Sequence, residues 1–405
     1  MSGVLPSRGL LRHRDLALFL GGRFVSAMAV QMQNVAVGWL VYDLTRDPLA
    51  LGLVGLASFL PAIALALVTG HVADRADRRG IIVACYVLTT LTALGLLACA
   101  WMRAPVWVIY ALVLAFGLGR AFANPAGQAL LPGLVPAEEL GGAIAWGSSV
   151  WQTATIIGPA VGGALYVLGD TVVFAAAAAC FALSTLLFAL VRHRSRTTSG
   201  GKADWATLLA GIAFIRSRPA IFGAISLDLF AVLLGGATAL LPIYARDILQ
   251  VGPTGLGLLR SAPAAGALGM ALYLVWRPLR QRAGARMFQA VALFGLATIA
   301  FGLSRDFLLS LGCLVVLGAA DMVSVVIRQT LVQAETPDGM RGRVSAVNAV
   351  FIGASNELGE FESGAVAALI GTVPAVVVGG AGTLLVAALW ARWFPELRHR
   401  DRLVS

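Results

Sequence analysis

The sequence predicts an all-α membrane protein: twelve transmembrane helices in two pseudo-symmetric six-helix bundles. Three observations predict it. The chain is 59% hydrophobic and 12% charged, with mean hydropathy +0.85, and apolar runs of roughly 20 residues, enough to cross a bilayer as helix, recur along its length. Basic residues collect in alternate loops between those runs, the bias that orients membrane helices. The two halves match each other at a nearly constant offset, the signature of a duplicated bundle.

The spans fall at about residues 16–42, 49–70, 81–102, 106–128, 139–168, 171–191, 219–245, 254–276, 286–304, 307–330, 343–369 and 372–394. Met1–Arg14 is basic but leads into no small-residue cleavage site, so it reads as a cytoplasmic tail rather than a signal peptide. An even number of spans puts both termini on one side. That side holds Arg8, Arg12 and Arg14, then Arg75, Arg78 and Arg79, the basic run from Arg192 to Arg218, and Arg277, Arg280, Arg282 and Arg286. It also holds Arg341, Arg343 and the C-terminal arginines, whereas the opposite loops carry Arg46, Arg103, Arg246 and Arg305. Both termini are therefore expected to be cytoplasmic. The net charge of +10 and pI near 10.3 reflect this topology, not a nucleic-acid face. Cys85, Cys99, Cys180 and Cys313 all lie in apolar runs with no close pair, so they read as packing residues without a disulfide or metal framework.

Residues 193–218 are the one long polar stretch in mid-chain. His193–Lys202 is a basic linker rich in Ser, Thr and Gly; beyond it Trp205, Leu208, Leu209, Ile212 and Ile215 recur at helical spacing. That pattern predicts a short amphipathic helix on the cytoplasmic membrane surface. The chain thus divides into an N-terminal bundle (1–192), a linker with its helix (193–218) and a C-terminal bundle (219–405). Shifted by 202 residues, Tyr42 meets Tyr244, Gly55 meets Gly257, Pro61 meets Pro263, Arg75 meets Arg277 and Arg78 meets Arg280. Shifted by 201, Gln128 meets Gln329, Leu130 meets Leu331, Pro136 meets Pro337, Gly158 meets Gly359 and Gly163 meets Gly364. A parallel repeat of this kind is expected of a transporter whose bundles rock about a site near mid-membrane.

The second and third spans are joined by Gly70-His71-Val72-Ala73-Asp74-Arg75-Ala76-Asp77-Arg78-Arg79-Gly80, which predicts a tight, wet, cytoplasmic turn. Its spacing, Gly-x-x-x-Asp-Arg-x-x-Arg-Arg, resembles the loop between the second and third helices of major facilitator superfamily transporters, with Asp77 where that pattern has glycine. The resemblance implies a conformational latch made of Gly70, Asp74, Arg75, Arg78 and Arg79. Asp74 would meet the cytoplasmic, positive end of the eleventh helix, near Arg343, and Arg78 would pair within the first bundle.

In the fifth span, Gly158-Pro159-Ala160-Val161-Gly162-Gly163 is expected to break regular helix at Pro159 and to let a neighbouring helix approach closely. It resembles the Gly-Pro-x-x-Gly-Gly core of a fifth-helix motif in exporters of the same superfamily, with Ala154 where an upstream glycine would fall. A narrower likeness covers about residues 12–395. Arg120-Ala121-Phe122-Ala123-Asn124-Pro125, Gln128-Ala129-Leu130-Leu131-Pro132, Asp228-Leu229-Phe230, Gly318-Ala319-Ala320-Asp321-Met322 and Phe351–Glu360 resemble bacterial exporters related to the enterobactin exporter, a group that includes drug-efflux proteins. It implies efflux across a bacterial cytoplasmic membrane and a cavity lined by the first, fourth, seventh and tenth helices.

An ionisable group inside a span is costly and marks a functional site. Asp228, Asp321, Glu357 and Glu360 are the candidates for proton coupling, with structural ion pairing as the alternative. At the 201 offset Asp321 is the counterpart of Arg120, which suggests a charge pair between the bundles. Glu357 and Glu360, three apart, share a helix face. Arg23 and Arg328 are candidate partners or anion hooks. Gln31, Gln33, Asn34 and Asn124, with Arg23, are the candidates for reading a substrate in the cavity.

No Gly-x-Ser-x-Gly, His-Glu-x-x-His or Gly-Lys-Ser/Thr pattern occurs, and all four histidines fall outside the predicted spans. No enzyme, ATPase, cofactor or metal is expected, so energy would come from an ion gradient, by default protons. The combined expectation is a proton-coupled exporter of small amphipathic molecules, drugs or a siderophore-like metabolite, working as a monomer in the bilayer. The alternatives are a facilitator or importer of the same fold, or a sensor that has lost transport.

Overall fold

The computed structural model describes residues 8–193, 205–279 and 281–401, and among these every regular element is helical. A 3₁₀ turn at Arg8–Arg12 leads into α1 (Arg14–Thr45). Then come α2 (Pro48–Ala64), α3 (Ala66–Arg75), α4 (Arg78–Met102), α5 (Val106–Leu130), α6 (Leu140–Val167) and α7 (Asp170–Leu190). The second half holds α8 (Trp205–Arg216), α9 (Pro219–Leu234), the short α10 (Leu241–Ile243), α11 (Gly252–Trp276) and α12 (Ala283–Leu303). It ends with α13 (Phe307–Glu335), α14 (Asp338–Ile370), α15 (Thr372–Trp393) and the short α16 (Pro395–Arg398). In lipid no water satisfies a free backbone group, so runs this apolar close their hydrogen bonds within helices. Aspartates punctuate them: Asp47 accepts from the Leu49 N–H at 2.9 Å, Asp77 from Gly80 at 3.3 Å and Asp306 from Leu309 at 2.8 Å, each capping a helix start.

Nine helices among the described residues are long and apolar enough to cross a membrane. Two others, α6 and α14, have the length, but Gly, Ser and Thr dilute α6, and Glu357, Glu360 and Glu362 charge α14. With α2 and α3 as one broken crossing, they complete the predicted twelve. Large apolar side chains point outward along these helices, with Trp101 79% and Trp276 87% exposed near helix ends, where tryptophan sits at the lipid–water boundary.

The chain forms two compact units, residues 1–44 with 57–203 and residues 45–56 with 204–405. In the first, α4 packs against α5 and α7, and α3 against α5. Leu16, Phe19 and Leu20 of α1 close its core with Ile82, Leu130 and Phe188. In the second, α12 packs against α13 and α15, and α11 against α13, around Ala224, Leu227, Met287, Val291, Ile327 and Leu331. Lipid tails are as apolar as leucine, so these contacts are held by close packing rather than by escape from water. Small residues serve that purpose: Gly117 of α5 lies on the Ser58 carbonyl, and its repeat mate Gly318 of α13 lies on the Pro263 carbonyl.

Four expectations are corrected. The second span is not one helix: it breaks at Leu65, four residues after Pro61, and resumes as α3. The turn expected over residues 70–80 is helical up to Arg75, which leaves only Ala76 and Asp77 as the link. Asp77, the departure from the family glycine, is the residue that caps α4. The fifth span is not broken at Pro159: α6 runs through it, because proline costs one hydrogen bond and α6 is long enough to bear it. The seventh span, by contrast, is broken. After α9 the chain turns at Gly235-Gly236, where the Gly359 carbonyl of α14 lies 2.8 Å from where a Gly236 Cβ would stand. It continues as 3₁₀ helix Ala237–Leu240, α10 and a π-turn Tyr244–Ile248.

In the second unit α8 is seated on α14. Ile215 is buried with Ile221, Val344 and Val347, and Gly211 rests on the Arg343 backbone, while Leu209 is exposed. The Trp205 and Leu208 side chains, Arg280 and residues 194–204 of the linker lie outside the described residues.

Candidate functional site

In the second unit, the apolar wall of α9 carries Asp228. Its carboxylate meets Arg328 of α13, Oδ2 to Nη2 at 3.1 Å, with the two side chains 7% and 2% exposed. Arg328 Nη1 donates to Asn348 Oδ1 of α14 at 3.2 Å, and its Nε has no hydrogen-bond partner. Asp321 and Ser324 lie seven and four residues before Arg328 on α13, so all three share one helix face. Asp228, Asp321 and Ser324 line one cavity, with about 220 Å³ of empty space counting its open side, whose other lining groups, such as Val291 and Phe294, are apolar. The half-buried Asp321 interacts electrostatically with both Asp228 and Arg328, so two carboxylates share one guanidinium. With both ionised, one negative charge is uncompensated, and one bound proton removes it. A buried site with unbalanced charge is costly, so the arrangement is chemically suited to taking up and giving back a single proton.

The first unit has a cavity of about 640 Å³ whose polar lining is basic. Arg23 of α1 and Arg120 of α5 face it with Tyr86, Asn124 and Gln128. The Tyr86 hydroxyl donates to Ser26 Oγ at 3.1 Å, and Ser26 donates to the Arg23 carbonyl at 3.1 Å. Arg23 lies over the Phe19 ring at 5.8 Å and Arg120 over Phe116 at 5.9 Å. Among the described residues neither guanidinium pairs with a carboxylate, and no acid lines the cavity.

The other predicted residues are dispersed. Glu360 lies against Gly55 of α2, within the second unit, and interacts electrostatically with Arg260 of α11. Glu357 is on the same face of α14, and neither glutamate joins the Asp228 cavity. Gln31 Nε2 is 3.5 Å from Thr155 Oγ1 of α6, while Gln33 is buried with its Oε1 unpartnered and Asn34 is half-buried. Gly158 and Gly162 bring α6 onto α1: a Cβ at these positions would lie 2.6 Å from the Gln31 Cβ and 2.8 Å from the Met32 Cα. Pro159 and Gly163 are buried in the same helix.

At the α3–α4 link, Arg78 Nη1 donates to the Ala129 carbonyl at 2.9 Å, and Arg79 donates to the Ala189 carbonyl. These bonds tie α4 to the ends of α5 and α7. Arg75 is exposed and Gly70 is half-buried on α3; the Asp74 side chain lies outside the described residues. Sequence reasoning missed Tyr86, Ser26, Ser324 and Asn348. A lone tyrosine or serine in an apolar run looks like packing, and only the repeat offset, which sets Ser26 opposite Asp228, could have drawn attention to one of them.

The family model of the Major Facilitator Superfamily matches residues 19–360. The chain belongs to this superfamily. It is 27% identical over 386 residues to the enterobactin exporter EntS of Escherichia coli (strain K12), covering 95% of this chain and 92% of that one. Its fold is similar to that of a bacterial homologue of the human lysosomal transporter Spinster, inward-facing and occupied. There the TM-score is 0.75 at 16% identity, covering 98% and 99% of the two chains. It is also similar to an inward-facing bacterial homologue of the iron transporter ferroportin, with TM-score 0.71 at 18% identity over 94% and 98%. At these identities the structural likenesses establish the fold alone. The superfamily makes the chain a multi-pass membrane transport protein.

Proposed function

We propose that this protein is a proton-coupled exporter of small amphipathic organic molecules, a drug or a siderophore-like metabolite, in a bacterial cytoplasmic membrane. The direction is supported by the 27% identity to the enterobactin exporter EntS. The observation that carries the coupling is the buried Asp228–Arg328 pair with Asp321 on the same cavity wall. In this mechanism a proton taken up on the outside neutralises one carboxylate and frees Arg328 from it. The bundles of residues 1–192 and 219–405, joined by 193–218, then rearrange, and the proton leaves inward as cargo leaves outward. Glu357 and Glu360 lie outside that cavity and are secondary candidates. Gly70, Asp74 and Arg75 would form the cytoplasmic latch, with Arg78 and Arg79 bracing α4. Both termini lie in the cytoplasm in this reading, and two full bundles in one chain make a working monomer.

The test is internal pH in proteoliposomes under an imposed proton gradient, with candidate compounds added outside. Compound-triggered proton release that is lost in Asp228→Asn establishes the coupling. Release that persists in Asp228→Asn, Asp321→Asn and their double variant removes it.

A further inference from the structure

The two cavities occupy equivalent places in the repeat. At the 202 offset Ser26 corresponds to Asp228 and Val30 to Val232; at the 201 offset Ala123 corresponds to Ser324 and Arg120 to Asp321. All four residues on each side line their own cavity. At that offset Gly127, in the first cavity's wall, corresponds to Arg328. The same wall positions have therefore been kept twice and given opposite polarity. The second unit's copy holds the two carboxylates, with Arg328 paired to Asp228. The first unit's copy holds glycine there, has nearly three times the empty volume, and carries Arg120 and Arg23.

We propose that the first unit's cavity binds the acidic group of an aromatic organic anion, so that the cargo is an aromatic acid rather than a lipophilic cation. This deepens the exporter reading and rests on it. The physical reasons are local. Two half-buried guanidinium groups without a carboxylate keep unused hydrogen-bond donors, and their planar fork matches an oxyanion. Both lie close enough to act electrostatically on the Tyr86 hydroxyl, so an acidic group beside Tyr86 feels both. Phe19, Tyr86, Trp151 and Phe188 supply the surfaces an aromatic ring packs on. The opposite polarity of the second cavity has a role in the same scheme: anion and proton have separate, repeat-related sites, and neither competes for the other's charge.

The experiment is equilibrium binding of radiolabelled salicylate to the purified full chain, beside its neutral isostere salicylamide and the cation tetraphenylphosphonium, with no proton gradient present. Salicylate is expected to bind at least tenfold more tightly than salicylamide. Arg120→Gln and Arg23→Gln should each weaken salicylate about tenfold while leaving salicylamide unchanged, and Arg120→Lys should keep part of the affinity. Equal binding of acid and amide overturns the proposal, as does unchanged salicylate affinity in both glutamine variants or preferential binding of the cation. If Arg120→Gln does not fold, Arg23→Gln and the acid–amide comparison in the unmodified chain decide alone. Because the assay carries no gradient, failure of coupling at Asp228 does not register in it. Conversely, compound-driven proton release with arginine-independent acid binding sinks this proposal and leaves the coupling intact.

Discussion

Replacing Arg328 with methionine should be the most damaging single change at the Asp228 site, and pairing it with Asp228→Asn should undo much of the damage. At 3.1 Å and an effective dielectric constant near 20, the Coulomb attraction of the pair is about 5 kcal/mol. Desolvation of two side chains 7% and 2% exposed offsets most of that. The net worth of the pair is therefore small, but its two halves are not separable. Arg328→Met leaves Asp228 and Asp321 facing each other without a cation, at a cost of about 3–5 kcal/mol. Asp228→Asn keeps an acceptor for the Nη2 donor, and Asp321 still balances Arg328, so about 1–2 kcal/mol is lost. In the double variant one carboxyl remains, free to bind a proton, and the coupling energy from the cycle should reach at least about 1.5 kcal/mol. Thermal unfolding of purified protein in one detergent, followed by intrinsic fluorescence for all four chains, measures it. Additive losses would refute the reasoning, and so would an Arg328→Met variant as stable as the unmodified chain.

Three further outcomes are expected. Gly162→Leu should destabilise the first unit by about 1–3 kcal/mol through overpacking, since a Cβ there already lies 2.8 Å from the Met32 Cα; the unfolding midpoint in detergent reads it. Asp77→Ala should cost about 1 kcal/mol by removing the α4 cap, and Asp77→Ser should restore it; a glycine at this position, as in the family pattern, should cost only a few tenths. Asp74→Asn should lower turnover in proteoliposomes with the yield of folded protein unchanged, and normal turnover would remove the latch.

The bilayer explains why some of this was readable in the chain and some was not. A charge in an apolar run stands out, so Asp228, Asp321 and Arg328 could be picked singly. Their grouping could not, because Asp228 and Arg328 lie 100 residues apart and a helix apolar on all sides has no 3.6-residue stripe to reveal which face turns inward. The same loss of contrast hid the breaks at Leu65 and at Gly235-Gly236, both submerged in uninterrupted hydrophobic sequence. At Pro159 the local rule pointed the wrong way, since a long membrane helix absorbs one missing hydrogen bond.

The repeat restores part of that contrast. Alignment of the halves suggested Arg120 and Asp321 as opposite charges that would pair. Within its own unit, Asp321 shares a cavity wall with Asp228, and Arg120 shares one with Arg23 and Tyr86. Equivalence in a repeat therefore marks equivalent places. A duplicated pocket can diverge in charge while the helices around it keep their packing, as the close contacts at Gly117 and its repeat mate Gly318 show. The charge is set by one or two side chains on the wall. In a family whose members share a fold and move different cargoes, those few wall positions are where selectivity should be sought first, and Arg23 and Arg120 are the pair to exchange.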